Sequence, residues 1–336
     1  MKTLYFDNGS QSLVILDQTK LPAREEYITI SSPRELYNAI KTLAVRGAPA
    51  IGVAAALGLY ACALRLEDTT PEGFVYSFDK TASFISSSRP TARNLFYAVE
   101  RMKNAACGKD IPAMLENLKA EAFSILKEDI DLCHAIGVYG QELIKDGATV
   151  LTHCNAGMLA TAGIGTALAP IYEAKAKGKQ IKVYADETRP LLQGARLTCF
   201  ELVKNGIDTT LICDNMAAGL MAKGKIDLVI VGCDRLAQNG DFANKTGTLS
   251  LAVNAKHFGV PFYVAVPSTT ADENAKTGRD IVIEERDGRE VTDMFFTGSV
   301  SPEGVNVYNP AFDVTPRNLV TGYITEKGIL TDFKGV

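Results

Sequence analysis

The chain has 336 residues, a formal net charge of −4, and basic and acidic side chains interspersed along its length. Since it contains no block rich in lysine and arginine, we expect no nucleic-acid partner. Its seven cysteines form no CxxC pair and its three histidines are scattered, a pattern typical of reduced thiols in a cytoplasmic protein without a metal site. The length suits two domains or one large α/β domain.

The first part of the chain predicts a β-hairpin followed by helices. Apolar runs at 3–6 and 12–16 flank the turn signal Asp7-Asn8-Gly9. The motif Ser32-Pro33-Arg34-Glu35 is typical of a capping box that begins a helix. We therefore predict a small N-terminal domain, residues 1–125, of a hairpin or small sheet and helices. Further helices are expected over residues 47–64, 91–103, 112–127 and 129–145.

Residues 47–64 decide whether the chain enters a membrane. They carry no charge, and 18 residues are marginally long enough for a membrane span. They are rich in alanine and glycine, however, and include Pro49 in a chain of otherwise globular composition. We therefore predict a core helix packed closely between others, and no membrane partner. The opening residues lack the apolar run of a signal peptide.

Beyond Gly147 the chain consists of short apolar runs spaced as in repeated βα units. Such runs predict a parallel, doubly wound sheet with right-handed crossovers. The expected fold class is therefore α/β, with a Rossmann-like catalytic domain over residues 126–336. The predicted strands are residues 148–152, 181–185, 209–213, 228–231, 262–266 and 281–283.

Ligands of such sheets bind beyond the carboxyl ends of the strands. Polar or reactive side chains follow five of the predicted strands, which predicts an active edge without fixing its chemistry. The segments are His153-Cys154-Asn155, Asp186-Glu187-Thr188, Asp214-Asn215, Cys233-Asp234 and Pro267-Ser268-Thr269.

Cys154 is a candidate nucleophile or base. It precedes a run of small residues, 159–169, that predicts a helix, and a thiol near a helix N-terminus has a lowered pKa. The alternative is a buried structural cysteine, the usual environment of a free thiol. His153 is not expected to act as its base, because adjacent side chains on an extended segment point to opposite faces.

Asp234 is a candidate general acid. It follows an apolar run, so partial desolvation should raise the pKa of its carboxyl group. The alternative is an aspartate that caps the next loop through backbone N–H groups. Asp186, Glu187 and Asp214 are equally possible acids, and spacing alone does not choose between them.

Three predicted helix starts carry groups suited to a phosphate. They are Arg46-Gly47-Ala48-Pro49, Arg89-Pro90-Thr91 and Asn244-Lys245-Thr-Gly-Thr248. No Walker A or GxGxxG pattern is present, which argues against nucleoside triphosphates and dinucleotide cofactors. The pair Gly163-Ile-Gly165 falls inside the helix predicted above and lacks the third glycine.

Seven motifs occur in order along nearly the whole chain. They are Leu16-Asp-Gln-Thr-Lys-Leu-Pro22, Val45-Arg-Gly-Ala-Pro-Ala-Ile-Gly52, Ser88-Arg-Pro-Thr91 with Asn94-Leu-Phe96, Thr152-His-Cys-Asn-Ala-Gly157, Ala185-Asp-Glu-Thr-Arg-Pro190 with Gln193-Gly-Ala-Arg196, residues 231–248, and Asn309-Pro-Ala-Phe-Asp-Val-Thr-Pro316. Together they make the chain similar to the methylthioribose-1-phosphate isomerase family of the methionine salvage pathway.

The resemblance implies a homodimeric enzyme that converts an aldofuranose 1-phosphate into the 1-phospho-ketose without a metal or an organic cofactor. It makes Cys154 and Asp234 the catalytic pair. It also implies a set of residues that bind the sugar phosphate: Arg46, Gly47, Ala48, Arg89, Gln193, Asn244 and Lys245. The same fold serves as regulatory subunits of the translation-initiation guanine-nucleotide exchange factor, which lack the Cys/Asp pair.

Two departures from the family pattern leave the substrate open. The chain has no tryptophan, and Arg93 stands where a small apolar residue is expected. Paralogues that act on 5-deoxyribose 1-phosphate share all the catalytic positions, so the motifs do not separate the two sugars. A relative acting on ribose 1,5-bisphosphate would need a second cationic cluster, which the sequence does not show. A phosphosugar-binding sensor would keep the phosphate ligands without needing Asp234.

Overall fold

The computed structural model describes residues 1–89 and 93–331. Contacts divide the chain into two compact units. The N-terminal unit comprises Met1–His134 and Met158–Gly165, and the C-terminal unit comprises Ala135–Gly157 and Thr166–Val336. The motif Arg89-Pro90-Thr91 lies partly outside the described residues, which include only its arginine.

The N-terminal unit begins with a three-stranded antiparallel sheet of β1 (Leu4–Asp7), β2 (Ser12–Leu16) and β3 (Tyr27–Ile30). The predicted hairpin is confirmed. The carboxylate of Asp7 accepts a hydrogen bond from the Ser10 N–H at 2.8 Å, which closes the turn. The third strand was not predicted, because it is only four residues long and mostly exposed.

Five helices follow: α1 (Pro33–Lys41), α2 (Ala48–Ala63), α3 (Pro71–Ser86), α4 (Arg93–Ala105) and α5 (Ile111–Gly140). The capping box is confirmed, since Ser32 accepts from the Glu35 N–H and Glu35 accepts from the Ser32 N–H. The two helices predicted over residues 112–127 and 129–145 are one helix, α5.

Helix α2 is the core of the N-terminal unit. Fourteen of its 16 residues are buried, and it packs against α1, α3, α4 and the small sheet. Gly58 allows a close approach, because a Cβ there would lie 2.6 Å from a methyl carbon of Leu36. The predicted core helix is confirmed. Within residues 1–89 and 93–331, no helix combines the length and apolar character that a membrane crossing requires.

The C-terminal unit is built on a seven-stranded sheet with the order β13-β12-β10-β7-β4-β5-β6. All neighbouring pairs are parallel except β12 with β13. A second, antiparallel sheet has the order β11-β9-β8. The strands are β4 (Thr149–Thr152), β5 (Lys182–Asp186), β6 (Asp208–Ile212), β7 (Leu228–Val231), β8 (Arg235–Leu236), β9 (Phe242–Lys245), β10 (Phe262–Ala265), β11 (Phe312–Thr315), β12 (Gly322–Thr325) and β13 (Gly328–Leu330).

Both faces of the large sheet are covered, as a doubly wound fold requires. Along β7, Leu228 and Ile230 belong to one apolar cluster, whereas Val229 and Val231 belong to another. The first cluster includes residues of α6 and α7, and the second includes residues of α8 and α9. The predicted α/β fold class is thus confirmed. The helices are α6 (Ala169–Ala176), α7 (Cys199–Lys204), α8 (Ala217–Ala222), α9 (Thr248–Phe258) and α10 (Arg289–Thr292).

Two local predictions are wrong. Residues 281–283 form no strand: Ile281 is buried with Ala237, Ala243 and Ala275, while Val282 is 75% exposed. Residues 159–169 do not form one helix, since α6 begins only at Ala169 and the preceding segment is one helical turn followed by bends. Three glycines between 157 and 165 disfavour a helix there.

Candidate active site

The candidate catalytic residues follow the two strands at the switch point of the large sheet. The chain runs from β4 to β5 and β6 on one side, and from β7 to β10 and β12 on the other. Cys154 follows β4 and Asp234 follows its neighbour β7, at the same edge. Ligands of doubly wound sheets bind at this position.

Gly232 lets the two loops approach each other. A Cβ on Gly232 would lie 2.9 Å from the Ala156 methyl carbon, so any larger residue would push the loop after β7 away from the loop after β4. The structure therefore brings the segments of Cys154 and Asp234 into contact within the C-terminal unit.

Cys154 is buried and lies in a loop, with its backbone in the left-handed region at φ 66°. Its N–H donates to Thr188 Oγ1 at 2.8 Å, and its carbonyl oxygen accepts from Thr198 Oγ1 at 2.6 Å. The expectation that it lies at a helix N-terminus is wrong, because α6 begins only at Ala169. The helix-dipole argument for a lowered thiol pKa therefore does not apply.

A buried polar cluster lies behind the Cys154 loop. The Asn155 amide donates to Thr198 Oγ1 at 3.2 Å and to the carboxylate of Glu201, which is fully buried. The Tyr172 hydroxyl donates to the same carboxylate at 2.8 Å. Burial, together with the neighbouring Glu201, raises the pKa of Tyr172 and keeps its hydroxyl protonated. Gly157 leaves room for this cluster, since a Cβ there would lie 2.2 Å from a Glu201 oxygen.

His153 forms a second buried link. Its Nδ1 lies 3.0 Å from Asp186 Oδ2, and its Nε2 lies 2.9 Å from the Thr246 carbonyl oxygen. A carbonyl oxygen only accepts, so Nε2 carries a hydrogen and Nδ1 shares a proton with Asp186. Burial, the largest single influence, lowers the pKa of the His153 imidazole, but the bond to Asp186, the charges of Asp186 and Asp214 and the bond to Thr246 together outweigh it, so the pKa is raised. Both nitrogens are therefore engaged away from the Cys154 thiol.

His153, Asp186 and Asp214 are the group that could hold a metal ion among the described residues, with ligand atoms within 4.8 Å of one another. Hydrogen bonds account for most of this geometry, although the buried Asp186 Oδ1 has no hydrogen-bond partner within residues 1–89 and 93–331. Asp214 accepts from the backbone N–H groups of Thr188 and Arg189 at 2.7 and 2.8 Å. Both nitrogens of His153 are bonded as well, so an ion would have to displace the proton shared with Asp186. The donor set therefore fits a hydrogen-bond network better than a metal site.

Asp234 is half-buried, and its N–H donates to the Ala243 carbonyl oxygen at 2.9 Å. The hydrogen-bond network orients the Asn244 amide so that its nitrogen faces Asp234 Oδ2 at 3.2 Å. In that orientation the amide oxygen accepts from Thr248 Oγ1 at 3.0 Å. The Asn244 amide is thus in hydrogen-bond contact with the Asp234 carboxylate.

The start of α9 binds a carboxylate of the same chain. Asp313 accepts from the N–H groups of Gly247 at 2.7 Å and Leu249 at 3.1 Å. Lys245 is buried beside it and donates to the Ala311 carbonyl oxygen at 2.7 Å, with its ammonium 4.5 Å from the centre of the Phe312 ring. The helix start predicted to bind an anion does bind one, but that anion is the side chain of Asp313. Substrate binding by Asn244 and Lys245 stays a prediction.

Gln193 has a buried amide oxygen that can accept a hydrogen bond. It is 6% exposed, and within residues 1–89 and 93–331 its amide oxygen Oε1 finds no hydrogen-bond partner. Buried polar atoms usually have partners, so a ligand or an ordered water suits this position. The next residue must be glycine, because a Cβ on Gly194 would lie 1.7 Å from the Asp186 carbonyl oxygen.

The remaining predicted binding residues belong to the N-terminal unit. Gly47 is the N-cap of α2 and has φ 89°, and a Cβ there would lie 2.5 Å from Ala160 backbone atoms. Ala48 is the first residue of α2, and Arg46 directly precedes Gly47, as the sequence predicted. Arg89 is half-buried at the last described position before the gap.

Sequence reasoning missed several polar residues of this region. Thr198 and Glu201 sit in the apolar-looking run before and within α7, and no local pattern marks them as partners of the Cys154 loop. Asp313 lies within a recognised motif, but its partners are 64 and 66 residues away, so the sequence does not reveal its role. Thr188 lies within a recognised motif, although the sequence does not reveal its role.

The doubly wound sheet and its polar switch point define an α/β protein of Rossmann-like type with a ligand-binding edge. Residues 44–332 match the Initiation factor 2 subunit family, IF-2B, and the chain belongs to this family. It is 52% identical to the methylthioribose-1-phosphate isomerase of Symbiobacterium thermophilum, over 96% of this chain and 91% of that protein. It is 50% identical to a 5-deoxyribose 1-phosphate isomerase of Clostridium botulinum, over 97% and 94% of the two chains.

Two solved structures are similar over nearly the whole chain. The 5-methylthioribose 1-phosphate isomerase of Pyrococcus horikoshii superposes with a TM-score of 0.93 at 40% identity, covering 99% of this chain and 93% of that one. The A. fulgidus structure described as translation initiation factor eIF-2B, subunit delta, has a TM-score of 0.89 at 45% identity, covering 98% and 95%. The resemblance drawn from the seven motifs is confirmed.

Proposed function

We propose that this protein is an isomerase that interconverts 5-methylthioribose 1-phosphate and 5-methylthioribulose 1-phosphate, the aldose-ketose step of methionine salvage. The observation that carries the proposal is the placement of Cys154 and Asp234 on neighbouring loops at the switch point. The similarity to isomerases of sugar 1-phosphates supports the same activity. Neither metal nor organic cofactor is needed for the steps below.

Asp234 is assigned to ring opening. The phosphate on the anomeric oxygen prevents the spontaneous opening that a free aldose undergoes, so an acid must protonate the ring oxygen as its bond to C1 breaks. A carboxylic acid at the edge of an apolar strand suits this task. The Asn244 amide, 3.2 Å from Asp234 Oδ2, holds the acid in one orientation.

Cys154 is assigned to the transfer of hydrogen from C2 to C1. By one route its thiolate removes the C2 proton to give an enol phosphate, which is then protonated at C1 as the C2 hydroxyl loses its proton. By the other, hydride moves directly from C2 to C1 while the C2 hydroxyl loses its proton. Both routes end with a carbonyl at C2 and two hydrogens on C1. Deuterium placed at C2 separates them: exchange with water requires the enol, and full retention excludes an exchanging enol once shielded proton return is ruled out.

Substrate binding is assigned to the residues that the family resemblance implies. We propose that Arg46, Gly47, Ala48 and Arg89 bind the sugar phosphate together with Gln193, Asn244 and Lys245. The buried, unpartnered amide oxygen of Gln193 supports its share, because a sugar hydroxyl could donate to it. We further propose a cytoplasmic homodimer, and light scattering tests its oligomeric state. We also propose a domain boundary at residues 125–126, which limited proteolysis tests.

The second candidate substrate is 5-deoxyribose 1-phosphate, favoured by the similarity to the Clostridium botulinum isomerase. The two sugars differ only by a methylthio group on C5. A small apolar difference of this kind yields roughly 10- to 200-fold discrimination. Measuring kcat/KM on both sugars side by side decides between them. A strong preference for the deoxy sugar would overturn the first choice of substrate but leave the reaction class intact.

A regulatory or sensor protein is the alternative of another class, and the A. fulgidus structure described as an initiation-factor subunit favours testing it. Cys154→Ser and Asp234→Asn separate the classes. An isomerase should lose most turnover in either variant while sugar-phosphate binding is largely kept. Wild-type protein that binds a sugar 1-phosphate but turns over neither sugar would instead indicate a sensor.

A further inference from the structure

Two hydrogen bonds hold Cys154 in a backbone conformation that cysteine rarely adopts. Its φ of 66° lies in the left-handed region, which non-glycine residues avoid. Thr188 Oγ1 accepts from its N–H at 2.8 Å, and Thr198 Oγ1 donates to its carbonyl oxygen at 2.6 Å. Both threonines are fully buried. Since neither bond belongs to a helix or a sheet, the conformation of Cys154 depends on side chains from other segments.

Thr188 is itself strained, and every polar group that it carries is bonded. Its φ is 64°, an outlier for a β-branched residue. Its N–H donates to Asp214 Oδ1 at 2.7 Å, and its carbonyl oxygen accepts from the Leu192 N–H at 2.8 Å. Its hydroxyl donates to the Asp186 carbonyl oxygen at 3.0 Å, so the hydroxyl oxygen is left to accept from Cys154.

These bonds form a chain that ends at the backbone N–H of Cys154, the candidate catalytic residue. Strained backbone persists only where its surroundings over-determine it, and such sites cluster where function requires a fixed geometry. Here two strained residues, Thr188 and Cys154, are joined directly by a hydrogen bond. The side chain of Thr188 thereby sets the direction of the Cys154 Cα–Cβ bond.

We propose that Thr188 is a positioning residue that fixes the Cys154 thiol for hydrogen transfer at C2 of the sugar. This proposal rests on the isomerase function proposed above. Thr188 acts through Cys154 and has no contact with the substrate in this scheme. Without the hydroxyl, Cys154 can relax to a negative φ and its thiol turns away from the reacting carbon. A displacement of about 1 Å at a reacting group can cost roughly 100-fold in rate.

The test compares two substitutions at the same position. Thr188→Val keeps the shape and removes the hydroxyl, whereas Thr188→Ser keeps the hydroxyl. We expect Thr188→Val to lower kcat about 100-fold with KM within about threefold, because the substrate-binding groups remain. Thr188→Ser should restore most of the activity.

Thr325→Val is the matched control. Thr325 is also fully buried, and its hydroxyl donates to the Gly328 carbonyl oxygen at 3.0 Å, where β12 turns into β13. This variant removes a buried hydroxyl of the same kind without touching the Cys154 loop. We expect its kcat to equal that of the wild type, whatever it costs in thermal stability.

Alkylation of Cys154 by iodoacetamide gives a readout that does not depend on turnover. Its rate, followed by mass spectrometry of the Cys154 peptide across pH 6–10, should change in Thr188→Val by more than threefold and remain unchanged in Thr325→Val. A Thr188→Val protein with wild-type kcat and a wild-type alkylation profile overturns the proposal. If that variant does not fold, Thr188→Ala removes the same hydroxyl.

The two proposals fail in different ways. A wild-type protein that turns over neither sugar refutes the isomerase function, while the alkylation profiles still decide whether Thr188 positions Cys154. A wild type that is active, with an inactive Cys154→Ser and a fully active Thr188→Val, refutes the positioning role alone.

Discussion

The imidazole of His153 donates its Nε2 hydrogen to the backbone carbonyl oxygen of Thr246, 2.9 Å away. This bond ties the segment that carries Cys154 to the segment that carries Asn244 and Lys245. The opposite side of the ring is bonded to Asp186, and both side chains are almost completely buried. Asp186 therefore supports, through His153, the link between the segment of Cys154 and the segment of Asn244 and Lys245.

Replacing His153 by leucine should destabilise the fold strongly, because Asp186 would be left buried without its partner. Breaking a buried pair on one side costs about 3–5 kcal/mol. The double substitution His153→Leu with Asp186→Leu should cost less than the sum of the two single substitutions, since no uncompensated charge remains. Urea unfolding of the three variants measures this. Strictly additive losses would contradict the pairing.

Asn244→Leu tests whether this amide directs Asp234 or mainly binds substrate. If it orients the acid, kcat should fall roughly 10- to 100-fold with little change in KM. If it mainly binds the sugar phosphate, the loss should appear in KM. Steady-state kinetics separate the two outcomes. Asn254→Leu, at a half-buried position of α9 where the amide donates to the Ser250 carbonyl oxygen of its own helix, should change neither constant.

Asp129 should make stability depend on pH. Burial raises the pKa of its carboxyl to about 6, although the backbone N–H groups of Ala162 and Gly163 oppose the shift. Between pH 4 and 6 the folded chain therefore binds more protons at this site than the unfolded chain, so this group destabilises the fold as pH rises through that window. The shift corresponds to about 3 kcal/mol at most.

Asp129→Asn removes this titration. We expect the unfolding free energy of the wild type, measured relative to the variant, to fall as pH rises from 4 to 6 and then to level off. Urea unfolding at half-unit pH steps measures the difference. A constant difference across the window, or one that rises with pH, would contradict the raised pKa.

The two glycines that flank α9 provide a test of close packing. Both have positive φ, 108° at Gly247 and 70° at Gly259. A Cβ on Gly247 would lie 2.7 Å from the His153 ring, whereas a Cβ on Gly259 would meet nothing within 4 Å. Gly259→Ala should therefore cost about 1–2 kcal/mol from backbone strain alone.

Gly247→Ala should cost more, by roughly 1–3 kcal/mol, because the methyl group also displaces a buried ring. Thermal or urea unfolding of the two variants gives the difference. Equal losses in unfolding free energy would show that the His153 ring moves aside at little cost, and would remove the steric reason for glycine at position 247.

Parallel strands were the most predictable part of the fold. Strands buried on both faces appear in the sequence as continuous apolar runs, and β4, β7 and β10 lie within such runs. β5 and the largely exposed edge strand β6 also overlap predicted runs, whereas the parallel strand β12 was not predicted. The strand predicted at residues 281–283 is absent, because three consecutive apolar residues also occur in a loop whose residues alternate between buried and exposed positions. A short apolar run in the sequence does not show whether a neighbouring strand is available to pair with it.

The candidate site was predictable in position but less so in geometry. The rule that ligands bind beyond the carboxyl ends of parallel strands placed Cys154 and Asp234 at one edge, since it depends only on strand direction. The backbone of Cys154 was not predictable, because it depends on Thr188 and Thr198, which are 34 and 44 residues away. The helix expected after Cys154 suggested a lowered pKa for its thiol. The structure removes that argument, because α6 begins only at Ala169.

Helix α2, buried on all sides, also bears on how the N-terminal unit folds. An amphipathic helix can dock on a partial structure with its polar face in water, but α2 has only two residues that are not buried. Any intermediate that lacks one of its neighbours would expose an alanine-rich apolar surface. We therefore expect the N-terminal unit to fold in a single cooperative step, and fragments that contain α2 without α4 or the small sheet to aggregate.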